Sequence, residues 1–267
     1  MIEFAHKEKY GFDDLVEIYQ ILMSPEGCPW DREQTHQSVR MNFIEEVYEA
    51  VEAIDNGDSA LLREELGDVL MQVVFHAEME RKAGNFAIDE VCDEVCKKLI
   101  YRHPHIFGDI SVSGTDEVLS NWEELKRREK GQETYADTLS AVAKSLPALM
   151  RAEKLQKRAK KCGFDWENVE GAYLKIEEEL REVREASPED VFEEMGDLLF
   201  AVVNASRFLK VNPEEALSRA CEKFVNRFHL MEKLAQDAGF NLADMDLDGM
   251  DKFWEAAKSV EKASGKA

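Results

Sequence analysis

One spacing of carboxylates is written twice along this chain. Glu45-Glu46-x-x-Glu49 followed by Glu65-x-x-Asp68 returns in the same order as Glu178-Glu179-x-x-Glu182 followed by Glu194-x-x-Asp197. Residues three and four apart share one face of an α-helix, so each pair projects two carboxylates from one edge. Two such helices packed antiparallel bring four carboxylates together. Acid pairs that recur in order with the spacing inside each pair kept, while the spacer between them changes length, restrict the chain to a duplicated helical unit.

The repeat reaches beyond the acids. Cys96-Lys97-Lys98-x-x-x-Arg102 lines up with Cys221-Glu222-Lys223-x-x-x-Arg227, and Trp122-Glu123-Glu124-Leu125-Lys126 with Trp254-Glu255-Ala256-Ala257-Lys258. The offset drifts from 133 positions at Glu46 and Glu179 to 125 at Cys96 and Cys221, as expected when loops change length and helices do not. Helical periodicity runs throughout, Pro is scarce at six residues, and alternating β-branched runs are absent, so an all-α fold is expected. Asn56-Gly57-Asp58-Ser59 separates a helix of roughly 37–55 from one of roughly 59–83, and Ala186-Ser187-Pro188-Glu189-Asp190 separates their counterparts. The polar stretch Lys130-Gly131-Gln132-Glu133-Thr134 places the boundary between units 1–130 and 131–267.

Charge excludes some functions. Asp and Glu number 56 against 34 Lys and Arg, a formal charge of −22 that repels phosphate backbones and anionic lipid headgroups. Neither nucleic acid nor membrane is expected as a partner. No stretch approaches the roughly 18 to 20 apolar residues of a membrane span, and no apolar run follows a basic start, so a cytoplasmic protein is expected. Five cysteines without a C-x-x-C pair fit reduced thiols better than disulfides or a zinc site.

The acids invite two accounts. In the first helix Ile44, Val47, Val51 and Ile54 form an apolar stripe expected to face the core, and Glu45, Glu46 and Glu49 fall largely opposite, as solvated acids do. The second helix resists that account. Asp68 interrupts an apolar run from Leu66 to Phe75, with Glu65 and Gln72 on its own face, and Asp197 precedes Leu198-Leu199-Phe200-Ala201-Val202-Val203, with Asn204 beyond. A buried, unpaired carboxylate costs several kcal/mol, so a compensating cation is expected. Oxygen-only ligands suit Mg²⁺ or Mn²⁺, which accept phosphate oxygens as further ligands and make a phosphorylated substrate the natural guest. Gly67 and Gly196, beside the aspartates, each forfeit about 1 kcal/mol of helix propensity, as a close approach by a helix or ligand would require. Lys98 with Arg102, and Lys223 with Arg227, suit phosphates, and Trp122 with Lys126, and Trp254 with Lys258, set an aromatic plane one turn from a cation.

These residues resemble the MazG family of nucleoside triphosphate pyrophosphohydrolases, within the all-α NTP pyrophosphatase superfamily. The resemblance is carried by Cys28-Pro29-Trp30-Asp31, Glu64-Glu65-Leu66-Gly67-Asp68, Arg102-His103-Pro104-His105-Ile106-Phe107, Gly163-Phe164-Asp165-Trp166 and Glu193-Glu194-Met195-Gly196-Asp197-Leu198-Leu199-Phe200. It implies a tandem pair of units of four-helix-bundle type, and Mg²⁺-dependent hydrolysis of NTPs or dNTPs at the α–β phosphoanhydride to monophosphate and pyrophosphate. It makes Glu179, Glu182, Glu194 and Asp197 metal ligands, and Glu46, Glu49, Glu65 and Asp68 their counterparts. Lys223 and Arg227 would grip phosphates, with Asn204, Trp254 and Lys258 at the nucleotide and Lys126 a candidate from the other unit. Glu178 and Glu179 are alternatives for orienting or deprotonating the attacking water. Phe75 stands where the second unit has Asn204, which separates the two nucleotide sites. One unit has too few helices to cover its apolar faces, so a homodimer is expected.

Three other readings stand beside this one. Asp244-x-Asp246-x-Asp248-Gly249 with Glu255 has EF-hand spacing, but Asp251 occupies the eighth position, and an acidic loop before the last helix is expected. A di-iron bundle needs Glu-x-x-His on two helices; Glu3-x-x-His6 and Glu33-x-x-His36 fall near loops, outside the repeat. A module that binds nucleotides or a helical partner without hydrolysis is the third.

Overall fold

A computed structural model describes residues 4–263 and residue 265. Among these residues every regular element is helical. The chain divides into two compact units, Met1–Lys126 and Arg127–Ala267.

In the first unit α1 (Phe12–Leu22) and the short α2 (Pro29–Glu33) lead to the long pair α3 (Arg40–Asn56) and α4 (Ser59–Ala83). The sequence stops and starts this pair cleanly. Gly57 takes φ +65°, a left-handed conformation that a Cβ disfavours, and Asp58 accepts from the Ala60 and Leu61 amides at 2.9 and 3.0 Å, capping α4. Next come α5 (Ile88–Arg102), α6 (Pro104–Phe107) and α7 (Thr115–Glu129). α3 packs along α4, while α1 and α5 close on α4. The core gathers at the C-terminal half of α4, where Val74, Phe75 and Ala77 meet Tyr19, Met23, Val39 and Ile88.

The second unit repeats the plan: α8 (Tyr135–Ser140), α9 (Ala148–Lys160), α10 (Val169–Glu185), α11 (Val191–Phe208), α12 (Pro213–Asp237) and α13 (Leu247–Ala263). α10 packs along α11 and α12 along α13, and α9 lies against α8, α11 and α12. α3 and α10, the first acid-bearing helices, are both 17 residues long. The all-α tandem architecture is therefore as the periodicity requires.

Three expectations are corrected. Ile44, Val47, Val51 and Ile54 are exposed, and α3 buries Ala50 and Ala53 instead, because small side chains allow the close approach to α4. Asp197 is exposed and Asp68 half-buried: Leu66, Leu70 and Leu199 beside them are also exposed, and each apolar run enters the interior only further along, at Val74 and Phe75 and at Ala201 and Val203. Of the repeated acids, those withdrawn from solvent are Glu65 and Glu179. A Cβ at Gly67 or Gly196 would meet no atom within 4 Å, so no close approach within this chain accounts for either glycine.

No described helix is long and apolar enough to cross a membrane. All five cysteines are free thiols, four exposed and Cys28 half-buried.

Candidate active site

Each unit gathers three acids from two helices. Glu46 and Glu49 of α3 with Glu65 of α4, and Glu179 and Glu182 of α10 with Glu194 of α11, each offer a carboxylate oxygen within 4.8 Å of the other two. The i, i+3 spacing sets two of them on one edge, and the antiparallel helix delivers the third. Proximity has an electrostatic cost. Burial, then the charges of Asp68, Glu49 and Glu65, raises the Glu46 carboxyl above its ordinary pKa; Glu65 is raised likewise by burial and by Glu49 and Asp68. Glu182 is raised by burial and Glu179, against the opposing charge of Lys175. A hard divalent cation would relieve this repulsion, and an all-carboxylate donor set fits Mg²⁺ or Mn²⁺.

The two clusters differ in one cation. Lys175, one turn before Glu179 on α10, sits 2.6 Å from Glu179 and 2.8 Å from Glu178. These bonds hold its ammonium far above the ordinary lysine pKa and draw Glu178 down. Asn42 occupies the matching position on α3. Sequence reasoning passed over Lys175; its i, i+3 and i, i+4 spacing to the acids was the available signal.

In the second unit the acids border a pocket. Its volume is about 830 Å³, within the range of small-molecule sites. Lys175, Glu179 and Asp197 line one part; Leu139, Leu155, Phe164, Trp166 and Phe200 supply apolar wall, and Gln156, Asn204 and Arg207 the remaining polar groups. Asp197 lies outside the three-acid cluster but shares this pocket with Glu179.

A buried network holds the pocket wall. Arg207 Nη1 donates to Asp165 at 3.0 Å and Nη2 to its other oxygen, while Nε and Nη2 donate to Asn204 Oδ1 at 2.9 and 2.7 Å. Burial alone would lift the Asp165 carboxyl, yet the Arg207 bonds and charge hold it below its ordinary value. Trp166 packs over Gly171 so closely that a Cβ there would lie 2.3 Å from the indole. The segment Gly163-Phe164-Asp165-Trp166 thus ties pocket wall to α10 and α11.

In the first unit, Phe75 stands in place of Asn204. It is a core residue, its ring centroid 5.1 Å from that of Tyr19.

The basic and aromatic candidates gather elsewhere. Arg227 donates to Glu261 at 2.9 and 2.7 Å and lies 5.1 Å over the Trp254 ring, which also meets Phe224. Arg102 repeats this over Trp122 at 5.5 Å. The ring partner in both units is the arginine of the K-x-x-x-R motif, where sequence reasoning paired each Trp with a lysine. Lys258 pairs with Glu255, Lys223 and Lys98 are exposed, and Lys126 is half-buried on α7. Arg227, Trp254 and Lys258 do not line the 830 Å³ pocket.

The alternative sites do not assemble. α13 begins at Leu247, so Asp248 is already helical, and Asp246 accepts from the Gly249 amide at 2.9 Å instead of facing the other acids of the EF-hand pattern. Among the described residues only the two glutamate triads bring ligand atoms together. Glu3 lies outside the described residues. His36 turns to His76, with Nδ1 atoms 2.7 Å apart, and to Glu80 at 2.5 Å.

Comparison with known proteins follows the same duplication. The profile of the MazG nucleotide pyrophosphohydrolase domain matches residues 34–107 and 172–230. The chain is 47% identical over 252 residues to the nucleoside triphosphate pyrophosphohydrolase/pyrophosphatase MazG of Thermotoga maritima, covering 94% of this chain and 97% of that protein. It is 43% identical over 256 residues to the nucleoside triphosphate pyrophosphohydrolase of Escherichia coli K12, covering 93% and 97%. An uncharacterized Bacillus subtilis protein, YabN, is 46% identical over 260 residues, which are 96% of this chain and 53% of YabN.

Proposed function

Because the chain belongs to the MazG nucleotide pyrophosphohydrolase family, we propose that it hydrolyses nucleoside triphosphates at the α–β phosphoanhydride, releasing nucleoside monophosphate and pyrophosphate. The observation that carries this reading is the cluster of Glu179, Glu182 and Glu194 opening, through Glu179, on a nucleotide-sized pocket. Glu179, Glu182, Glu194 and Asp197 would hold Mg²⁺ or Mn²⁺. Once bound, such a cation supplies positive charge for phosphate oxygens and makes a bound water acidic enough to attack.

The chain's own residues account for the rest. A water oxygen bonds to the α-phosphorus while the bond to the bridging oxygen breaks, and the electron pair leaves with pyrophosphate. Glu178 or Glu179 takes the proton of that water, and no protein nucleophile is needed. Lys175, already charged beside these acids, meets the growing negative charge of the phosphates. Phe164, Trp166 and Phe200 offer apolar surface against which a nucleoside can pack. Lys223, Arg227, Trp254 and Lys258, which do not line the pocket, are proposed as the phosphate and nucleoside contacts of the second unit.

The second unit is the proposed working one. The first keeps Glu46, Glu49, Glu65 and Asp68 but lacks Lys175 and fills the matching wall with Phe75. The exposed apolar stripe of α3, together with Phe192 and Leu199 of α11, supports a homodimer in which a second copy covers these faces. Light scattering should give twice 30.6 kDa. The charge of −22 supports a protein working apart from nucleic acids and anionic membranes.

The test is incubation of the purified chain with ATP, dGTP or UTP and Mg²⁺. Monophosphate and pyrophosphate are expected. Diphosphate with orthophosphate would move the cleaved bond, and intact triphosphate would make the protein a binding module.

A further inference from the structure

Asn204 of α11 gives one end of its amide to the protein and keeps the other open. The residue lines the pocket and is 9% exposed. Its Oδ1 accepts from Arg207 Nε at 2.9 Å and from Nη2 at 2.7 Å. A guanidinium only donates, so the atom facing it is the oxygen, and the amide cannot be turned end for end. Nδ2 has no partner among the described residues and, unlike Gln156 Oε1, stays in contact with solvent. On a side chain set this deep in the wall, the open donor faces the pocket.

Arg207 is itself held in place. Its Nη1 donates to Asp165 at 3.0 Å, Nη2 reaches the other carboxylate oxygen, and the guanidinium lies 4.4 Å over the Phe208 ring. Asp165 cancels its charge, so what Arg207 gives the pocket is the direction of Asn204. Asn204 stands seven residues past Asp197 on α11, about 10 Å along the axis at 1.5 Å per residue. Phosphates held beside Glu179 and Asp197 therefore leave Asn204 at the far end of a nucleotide, past the sugar. Phe200, one turn before Asn204 on the same face, and Trp166 supply flat apolar surface in this pocket. A lone donor beside aromatic rings suits a planar heterocycle with an acceptor on its edge.

We propose that Asn204, oriented by Arg207 and Asp165, reads the nucleobase, its Nδ2 donating to the carbonyl oxygen of a keto base of guanine, hypoxanthine or uracil type. This deepens, and rests on, the nucleoside triphosphate reading above. An amino base in the same place sets N–H against N–H. Asn204 cannot offer its oxygen instead, because turning the amide would press its NH₂ group on the guanidinium. Asn204 touches the base, whereas Arg207 and Asp165 act through it as positioning residues.

The experiment compares IMP with AMP, which differ by a keto against an amino group at one ring position. Binding to the full chain is measured by calorimetry, and kcat/KM for ITP against ATP in parallel, for the wild type and Asn204→Asp. One hydrogen bond corresponds to a preference of about tenfold for IMP and ITP, expressed in KM. Asn204→Asp keeps one oxygen for Arg207 and turns a second oxygen, an acceptor, to the pocket, so the preference should reverse toward AMP and ATP. A purely structural role for Asn204 would lower both affinities together and leave their ratio unmoved. Equal wild-type binding of IMP and AMP, tighter binding of AMP, binding of neither, or a folded variant that keeps the IMP preference would overturn the proposal. The wild-type comparison holds even if the variant does not fold. Monophosphate binding requires no cleavage, so failure to hydrolyse any triphosphate sinks the enzymatic reading while the IMP to AMP ratio still judges Asn204.

Discussion

The ammonium of Lys175 lies 2.6 Å from the carboxylate of Glu179, inside the cluster that should hold a divalent cation. Lysine and metal therefore compete for the same oxygens. Lys175→Gln should tighten Mn²⁺ binding by about tenfold, since a unit of positive charge leaves the ligand shell. Electron paramagnetic titration of free Mn²⁺ reads this directly; unchanged or weaker binding would show that the ammonium does not oppose the metal.

Glu194→Gln removes one of the three converging carboxylates of the second unit, and Glu65→Gln does the same in the first. Loss of a metal ligand at the reacting centre costs on the order of a hundredfold in kcat/KM. That loss is expected for Glu194→Gln, with less than about threefold for Glu65→Gln, because the first unit packs Phe75 where the second has Asn204. Equal losses in the two variants would reassign the working unit.

Asp165 and Arg207 form a pair with side chains 11% and 6% exposed. Arg207→Met strands a carboxylate in the pocket wall and should cost about 3 kcal/mol, measured by urea unfolding. The pair also predicts an acid limb. The Asp165 carboxyl is held below its unfolded pKa of about 4, so its stabilisation is complete above about pH 5 and fades as pH falls through the folded value. Asp165→Asn should flatten that part of the stability curve.

His36 and His76 meet through Nδ1 atoms 2.7 Å apart, a contact that tolerates one proton and not two. Burial, then the neighbouring His36, holds His76 below the ordinary histidine pKa. A base with a lowered folded pKa stabilises fully above its unfolded value, about 6.5, and loses that stabilisation as pH drops below it. Between pH 7.5 and 5.5 the melting temperature should fall by about 2 to 4 °C more in the wild type than in His76→Phe. Identical slopes would show that the pair does not govern stability in this range.

Gly171 lies directly beneath Trp166, and an added Cβ would overlap the indole at 2.3 Å. Gly171→Ala should displace Trp166 from the pocket wall at a cost of about 1 to 3 kcal/mol. The variant should also show red-shifted tryptophan emission and a higher KM for ATP. Unaltered emission would show that the helix shifts and the indole stays.

The sequence by itself determined the duplication, the helices and the first approximation to the acid clusters. These features are local: spacing of three or four residues places Glu179 beside Glu182 whatever α10 packs against, and Gly57 with Asp58 ends one helix and starts the next. What faces what across helices was decided only by tertiary structure. The apolar stripe of α3 looked like core and lies exposed, because close approach to α4 is made by Ala50 and Ala53. Asp197 looked buried by its apolar neighbours and is exposed, since Leu199 and Phe200 beside it are exposed and the run is buried only from Ala201 and Val203 onward. The pocket joins Gln156 of α9, Trp166 of a loop, Lys175 of α10 and Asn204 of α11. No period along one helix links them; they meet because the packing of separate helices selects which faces adjoin.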